Sequence, residues 1–466
     1  MTRPKPTRKS LGAWYTPVDL VEVVVSRVIA DFAELANETD GLRSRPVRVV
    51  DPACGDGRLL DAVLVGLHRE GFEAEATGCD IDPVALDTIS HPAIRTVEAD
   101  ALHHDWGDDH FDIVVGNPPF LSQMAAATTR GGSSRHGGGP YANSAAEFLA
   151  LSLRLADPAG SVIGLVLPQS ILAARDAAPV RQEVDRIARH TWSWWRADQR
   201  GLFDAAVNVC ALGFRRPTAG AVDRFAWTRV VTDVLGIPPL DGATLSVTGT
   251  VGERAEANAN FRDEYYALVG AVGDEAPGPP LVTSGLIDPG RSWWGIRPVR
   301  FAKRTFQHPR VDLTKLEGRF AGWADRKLVP KVLVANQTPI VEAVADPAGA
   351  WLPGVPVTTL VPPPGREPDR TVREIAAVLT SPVASAWCWH TGGGTGLSTT
   401  ALRLTPAVLS TVPWPAGHLD EAIEALESGD VAECGAAVMR AYGLDPTDDG
   451  GRALFTWWCA ALPRRA

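Results

Sequence analysis

From Pro17 to about Ala36, apolar residues return at helical spacing (Leu20, Val21, Val24, Val25, Val28, Ile29, Phe32) and predict an amphipathic helix. A polar stretch follows. Then VRVVD at 47–51 predicts a short β-branched strand that ends in an acid, and a helical pattern runs from Arg58 to His68. The alternation continues with a strand near 74–80, a short helix near 83–90, a strand near 93–97 and another at Phe111–Val115. A helix near 145–156 leads to the strand SVIGLVL at 161–167, and Val207–Phe214 alternates like a further strand. Strands alternating with helices predict parallel βαβ units, hence a doubly wound α/β sheet.

Beyond about residue 218 the alternation fades. Short strand-like runs remain, KVLVA at 331–335 and TTLVPPP at 358–364, and helical spacing returns from Leu419 to Tyr442. The reading is two domains, 1–218 and a mixed α/β domain at 219–466, as the length of 466 residues suggests. The run TTRGGSSRHGGGP at 128–140 is loop by composition and reads either as a tolerated surface insertion or as a lid beside a site. No apolar stretch approaches a membrane span and the basic N-terminus lacks an apolar h-region, so a cytoplasmic protein without membrane partners is expected. The six cysteines are far apart with no CxxC pair, so neither a metal site nor a disulfide framework is expected.

Three strand ends carry the first chemistry. DPACGDG at 51–57 lies between a strand and a helix, where glycines let backbone approach a ligand. It lacks the GK[ST] of a phosphate loop. The next strand ends in GCDIDP at 78–83, where Asp80 can accept bonds from two ribose hydroxyls, and the third ends at Asp100 in EADAL. Each acid alone reads as a helix cap. Together they resemble the cofactor motifs of class I S-adenosylmethionine-dependent methyltransferases, above all the amino-methyltransferases of DNA. That resemblance implies a Rossmann-like catalytic domain with S-adenosylmethionine held by Asp51, Pro52, Ala53, Cys54, Gly55, Gly57, Asp80, Ile81, Asp100 and Ala101. WYTP at 14–17 matches the family's (Y/F)TP motif and adds Tyr15, Thr16 and Pro17 at the methionine end.

NPPF at 117–120 follows the strand FDIVVG. Standing alone it reads as a turn; after the cofactor motifs it resembles the (N/D/S)PP(Y/F/W) signature of the same family. An adenine N6 lone pair is delocalised into the ring and is a poor nucleophile. The Asn117 carboxamide oxygen and the Pro118 carbonyl can each accept one N6 hydrogen, favouring a pyramidal nitrogen. Pro118 and Pro119 fix the backbone, Asn117 also borders the cofactor, and Phe120 offers a stacking face. A duplex base must leave the stack to be reached, and the resemblance places a second aromatic wall at Phe203 in GLFDAAVNVCALGF. The motif order resembles the gamma group of N6-adenine DNA methyltransferases of restriction-modification systems, whose C-terminal part is the target recognition domain. The expected activity is site-specific methylation of adenine N6 in double-stranded DNA, with a separate restriction or defence-system subunit as a partner. With about ten residues before the first motif, no N-terminal nuclease domain is expected.

The net charge of −10 argues against polyanion binding on average, but the second domain departs from it. Residues 291–331 hold eleven Arg or Lys against three acids, including four of the chain's six lysines, with aromatics interleaved. Arg297, Arg300, Lys303, Arg304, Arg310, Lys327 and Lys331 are the candidate DNA contacts. Three alternatives share the fold: an RNA adenine methyltransferase, a protein glutamine methyltransferase, and a non-catalytic cofactor-binding recognition subunit. The last is opposed by the intact NPPF, and the glutamine enzyme has no use for so large a basic C-terminal domain.

Overall fold

Pro17 has φ −57° and no N–H to leave unpaired, and α1 (Val18–Glu38) begins directly after it. The structure, a computed structural model, describes residues 16–39, 41–120, 144–199, 207–216, 224–260, 262–365 and 367–463. Leu20, Val24, Val28, Phe32 and Leu35 form the buried face of α1, which packs on α2 (Arg58–Arg69) and on the sheet. That sheet comprises β1 (Val47–Asp51), β2 (Ala74–Asp80), β3 (Ile94–Glu98), β4 (Ile113–Gly116), β5 (Ser161–Pro168), β6 (Arg189–Trp194) and β7 (Val209–Arg216). Its order is β3-β2-β1-β4-β5-β7-β6. The strands from β3 to β5 pair in parallel, and β7 runs antiparallel to both β5 and β6. Every residue of β4 and β5 is buried, as strands covered on both faces require. The doubly wound α/β sheet expected from the alternation is therefore present.

The order reverses between β1 and β4, so their carboxyl ends lie side by side at the switch point where such sheets bind ligands. The helix expected at 83–90 is shorter, α3 (Pro83–Leu86), started by Asp82 accepting from the Val84 N–H. Helix α4 (Ser144–Leu155) precedes β5, and α5 (Ala178–Ile187) and β6 were not anticipated.

The chain divides into two units, Met1–Val234 and Leu235–Ala466. The division lies past 218 because Trp227 holds the segment before α6 (Arg229–Thr232) to the first unit: its Nε1 donates to Asp185 and its ring lies 5.7 Å from Phe214. In the second unit β8 (Glu256–Ala259), β11 (Lys331–Ala335), β12 (Ala343–Asp346) and β13 (Val357–Val361) form an antiparallel sheet in the order β12-β11-β13-β8. Between β8 and β11 stand α7 (Arg262–Val269), the hairpin β9 (Val299–Phe301) and β10 (Arg304–Phe306), and α8 (Arg319–Lys327). The helical stretch expected at 419–442 is two helices, α9 (Asp420–Glu427) and α10 (Val431–Ala441), broken at Gly429 with φ 82°. No described helix is long and apolar enough to cross a membrane.

Candidate functional site

Asp51 closes β1, and its carboxylate turns back to accept the Ala53 N–H at 2.9 Å, shaping the turn that follows. It is 2% exposed, and burial, with the charge of Asp80 added, pushes its carboxyl up to about 8. Beside it on β4, a Cβ at Gly116 would stand 3.2 Å from Asp51 Oδ1, so glycine there gives the carboxylate its room. The turn ends at Gly57, whose φ of 75° suits glycine and which caps α2.

Asp80 ties this turn to the next strand end. One oxygen accepts the Gly55 N–H at 2.8 Å and the other the Asp82 N–H at 2.9 Å. Each carboxylate oxygen can take a further bond, so ribose hydroxyls remain within its capacity. Ile81 is 53% exposed, an apolar face beside two acids. Asp100 is exposed and accepts from the Leu102 N–H, with His103 Nδ1 at 2.7 Å from its other oxygen; Ala101 is buried. Pro52 and Cys54 are buried, and burial drives the Cys54 thiol far above its ordinary range.

Asn117 directly follows β4. Its carboxamide Nδ2 donates to Thr16 Oγ1 at 3.0 Å, which leaves the carboxamide oxygen as its acceptor end. Thr16, buried and just before α1, is also gripped through its main chain: Arg58 Nη1 donates to the Thr16 carbonyl at 3.0 Å while the same guanidinium pairs with Asp56 at 2.7 Å. The turn at 51–58, the YTP segment and NPPF thus meet at one residue. Pro118 is buried, Pro119 accepts from the Ser144 hydroxyl, and half-buried Phe120 packs against the core of the first unit. Tyr15, Phe203 and the loop expected at 128–140 lie outside the described residues.

Arg58 and Ser144 were missed. A signal existed for Arg58, since a cation in the first turn opposes the helix dipole and so suggests a partner; its contact with Thr16 is 42 residues away in sequence.

The basic stretch of the second unit divides. Lys331 is wholly buried and pairs with Asp346 at 2.5 Å. Lys327 is 9% exposed and donates to Thr359. Burial lowers the pKa of both. These two lysines are interior and leave the set of phosphate-contact candidates; a count of charges cannot distinguish a solvated lysine from one whose strand carries it inward. Arg297 pairs with Asp288 at 3.1 Å and lies 4.8 Å from the Trp293 ring, which Arg291 also approaches at 3.9 Å. Arg310 stands over Trp294 at 5.5 Å. Arg300, Lys303 and Arg304 are exposed on the β9–β10 hairpin, with no carboxylate paired to them among the described residues. Its two turn residues, Ala302 and Lys303, have φ 49° and 66°, the form that matches the twist of a tight hairpin but that costs a non-glycine residue about 1 kcal/mol each.

Residues 4–183 match the family model described as N-6 DNA Methylase. The methylase subunit of the type I restriction enzyme MjaIX of Methanocaldococcus jannaschii is 33% identical over 119 residues, covering 23% of this chain and 19% of that one, so the chain spans about a fifth of this curated relative's length. Among solved structures, a type I restriction-modification methyltransferase subunit from Streptococcus thermophilus is 16% identical, with a TM-score of 0.33, over 44% of this chain and 45% of that one. The type IIG restriction endonuclease BpuSI is 11% identical, with a TM-score of 0.36, over 96% of this chain and 65% of that one.

Proposed function

We propose, from the premise that residues 4–183 form a domain of the N-6 DNA methylase family, that this chain methylates the exocyclic N6 of an adenine in double-stranded DNA, using S-adenosylmethionine. The observation that carries the proposal is the commitment of the Asn117 amide nitrogen to Thr16, which orients the carboxamide oxygen as an acceptor at the carboxyl end of β4.

The residues present suit the cofactor. Asp80 would hold the ribose, and Ile81, Asp100 and Ala101 would border the adenine. Asp51, whose carboxyl burial pushes up to about 8, would face the cationic methionine end. When bound, the cofactor supplies an electrophilic methyl group on a sulfonium. Asn117 and the Pro118 carbonyl accept the two N6 hydrogens and turn the nitrogen lone pair outward. Pro118 and Pro119 keep that carbonyl fixed, and Phe120 stacks on the base. No strong base is required: the surplus proton leaves to solvent after transfer, and positioning supplies most of the acceleration.

The target base must come out of the duplex to reach such a site, and the exposed Arg300, Lys303 and Arg304 of the second unit suit contacts to DNA phosphates. The curated relative is the methylase subunit of a restriction enzyme, and on this reading the chain modifies DNA in a restriction or phage-defence setting alongside a separate subunit. Expression in a methylation-deficient bacterial host, with single-molecule modification sequencing, is the test. N6-methyladenine at one recurrent sequence is expected, and Asn117→Ala should lower kcat about 100- to 1000-fold while cofactor binding persists. A genome left unmodified by the folded, cofactor-binding protein would refute the DNA reading.

A further inference from the structure

Leu397 is 85% exposed, more than any other large apolar side chain among the described residues. Scattered surface leucines are ordinary, but this one stands at the tip of a loop whose backbone is tied on both sides. After the helix Pro382–Gly392, the Thr395 N–H and hydroxyl both donate to the Gly392 carbonyl. A Cβ at Gly396 would stand 1.9 Å from the Ala401 carbonyl oxygen, so only glycine lets the two arms of the loop approach so closely. The Leu397 N–H itself donates to Gln337 Oε1 at 2.7 Å, and Gln337 holds a left-handed backbone with φ 67°. Leu402 then returns to pair with Thr338. The fold thus commits several hydrogen bonds and a left-handed glutamine to presenting a leucine to water.

The surroundings of the leucine select its partner. No acid occurs between Glu374 and Asp420, in a chain that carries 55 of them. Ser398 and Thr400 are exposed beside Leu397, and Arg403 is exposed with no carboxylate paired to it among the described residues. Contacts also run from the loop to the basic hairpin. Asn336, the neighbour of Gln337, donates its N–H to Ser284 Oγ at 3.2 Å, and Ser284 borders one cavity with Arg300. Hydroxyl and guanidinium groups suit phosphates, and an acid-free face does not repel them. One isolated leucine offers too little area for a protein interface, whereas a wedge between base pairs needs only a single apolar side chain. We propose that Leu397 is a wedge that enters the base stack of bound duplex DNA and lowers the cost of extruding a base. The inference deepens the proposed DNA reading and rests on it for the choice of a duplex.

The test titrates the full chain with a short matched duplex of mixed sequence and with the same duplex carrying one abasic site, where the gap is already open. The wild-type protein should bind the abasic duplex at least about tenfold more tightly. In the matched duplex, 2-aminopurines placed along one strand should brighten on binding as the stack opens. Leu397→Ser should lose both effects and Leu397→Met should keep them, a pattern that a merely structural role would not give. Gln337→Ala, which unties the loop tip, should reduce the preference. Equal affinity of the wild-type protein for the two duplexes, or a folded Leu397→Ser protein that keeps the preference, would overturn the inference. Self-association of the chain that Leu397→Ser abolishes would assign the leucine to a protein surface and overturn it as well. The two proposals fail separately. A methylated genome without abasic preference removes this inference alone, and a preference lost in Leu397→Ser, with an unmodified genome, removes the methylation reading alone.

Discussion

Replacing Asp51 by Asn should make the first unit more stable, and increasingly so as pH rises. In the folded chain the carboxyl keeps its proton up to about pH 8, whereas an unfolded aspartate releases it near its ordinary value of 3.8. Between those values the folded state binds the extra proton, so raising the pH drains stability by about 1.4 kcal/mol per unit and stops doing so above about 8. From pH 5 to pH 8 the wild-type chain should lose roughly 4 kcal/mol more than Asp51→Asn. Asn preserves the shape and the bond from the Ala53 N–H, so the variant isolates the ionisation. Glu342, a second carboxyl pushed up to about 8 by burial, is common to both proteins and cancels in the difference. Because the chain has two units, unfolding is best followed by pulse-labelled hydrogen exchange of peptides from β1 and β4 across a denaturant series. Parallel stability curves for the two proteins between pH 5 and pH 8 would refute the assignment of the proton to Asp51.

Three further outcomes follow from other contacts. Asp80→Ala removes the acceptor for the Gly55 and Asp82 N–H groups and should raise the Kd for S-adenosylmethionine by at least about tenfold in calorimetry. Lys331→Ala leaves Asp346 buried without its cation and should cost about 3–5 kcal/mol in denaturant unfolding, with Lys331→Met/Asp346→Leu recovering much of the loss. Removing Arg300, Lys303 and Arg304 together should flatten the salt dependence of duplex binding by ~2.7 in log–log slope, the value for three phosphate contacts.

The first unit was legible because its chemistry sits at strand ends, and strands buried on both faces announce themselves as apolar runs. VRVVD, FDIVVG and SVIGLVL each became the strand they suggested, with Asp51 and Asn117 at the β1 and β4 ends. RHTWSW did not announce itself: β6 is an edge strand with polar residues beside its tryptophans, and its pairing with β7 is irregular. Long-range contacts were equally silent. Nothing local ties Thr16 to Asn117, 101 residues away. In the second unit the sheet strands KVLVA and TTLV were visible. The sidedness of the basic residues was not, since burial of Lys327 and Lys331 depends on strand and helix facing set by tertiary packing.

Thr16 has a consequence for the order of events at the site. Its carbonyl is held by Arg58 from the 51–58 turn and its hydroxyl by Asn117 from β4, so neither turn can shift without moving the other's anchor. A ligand that settles the first turn therefore also sets the carboxamide that would receive the amine. In kinetic language this favours an ordered sequence, cofactor before target, with a base arriving early meeting an acceptor not yet fixed in place.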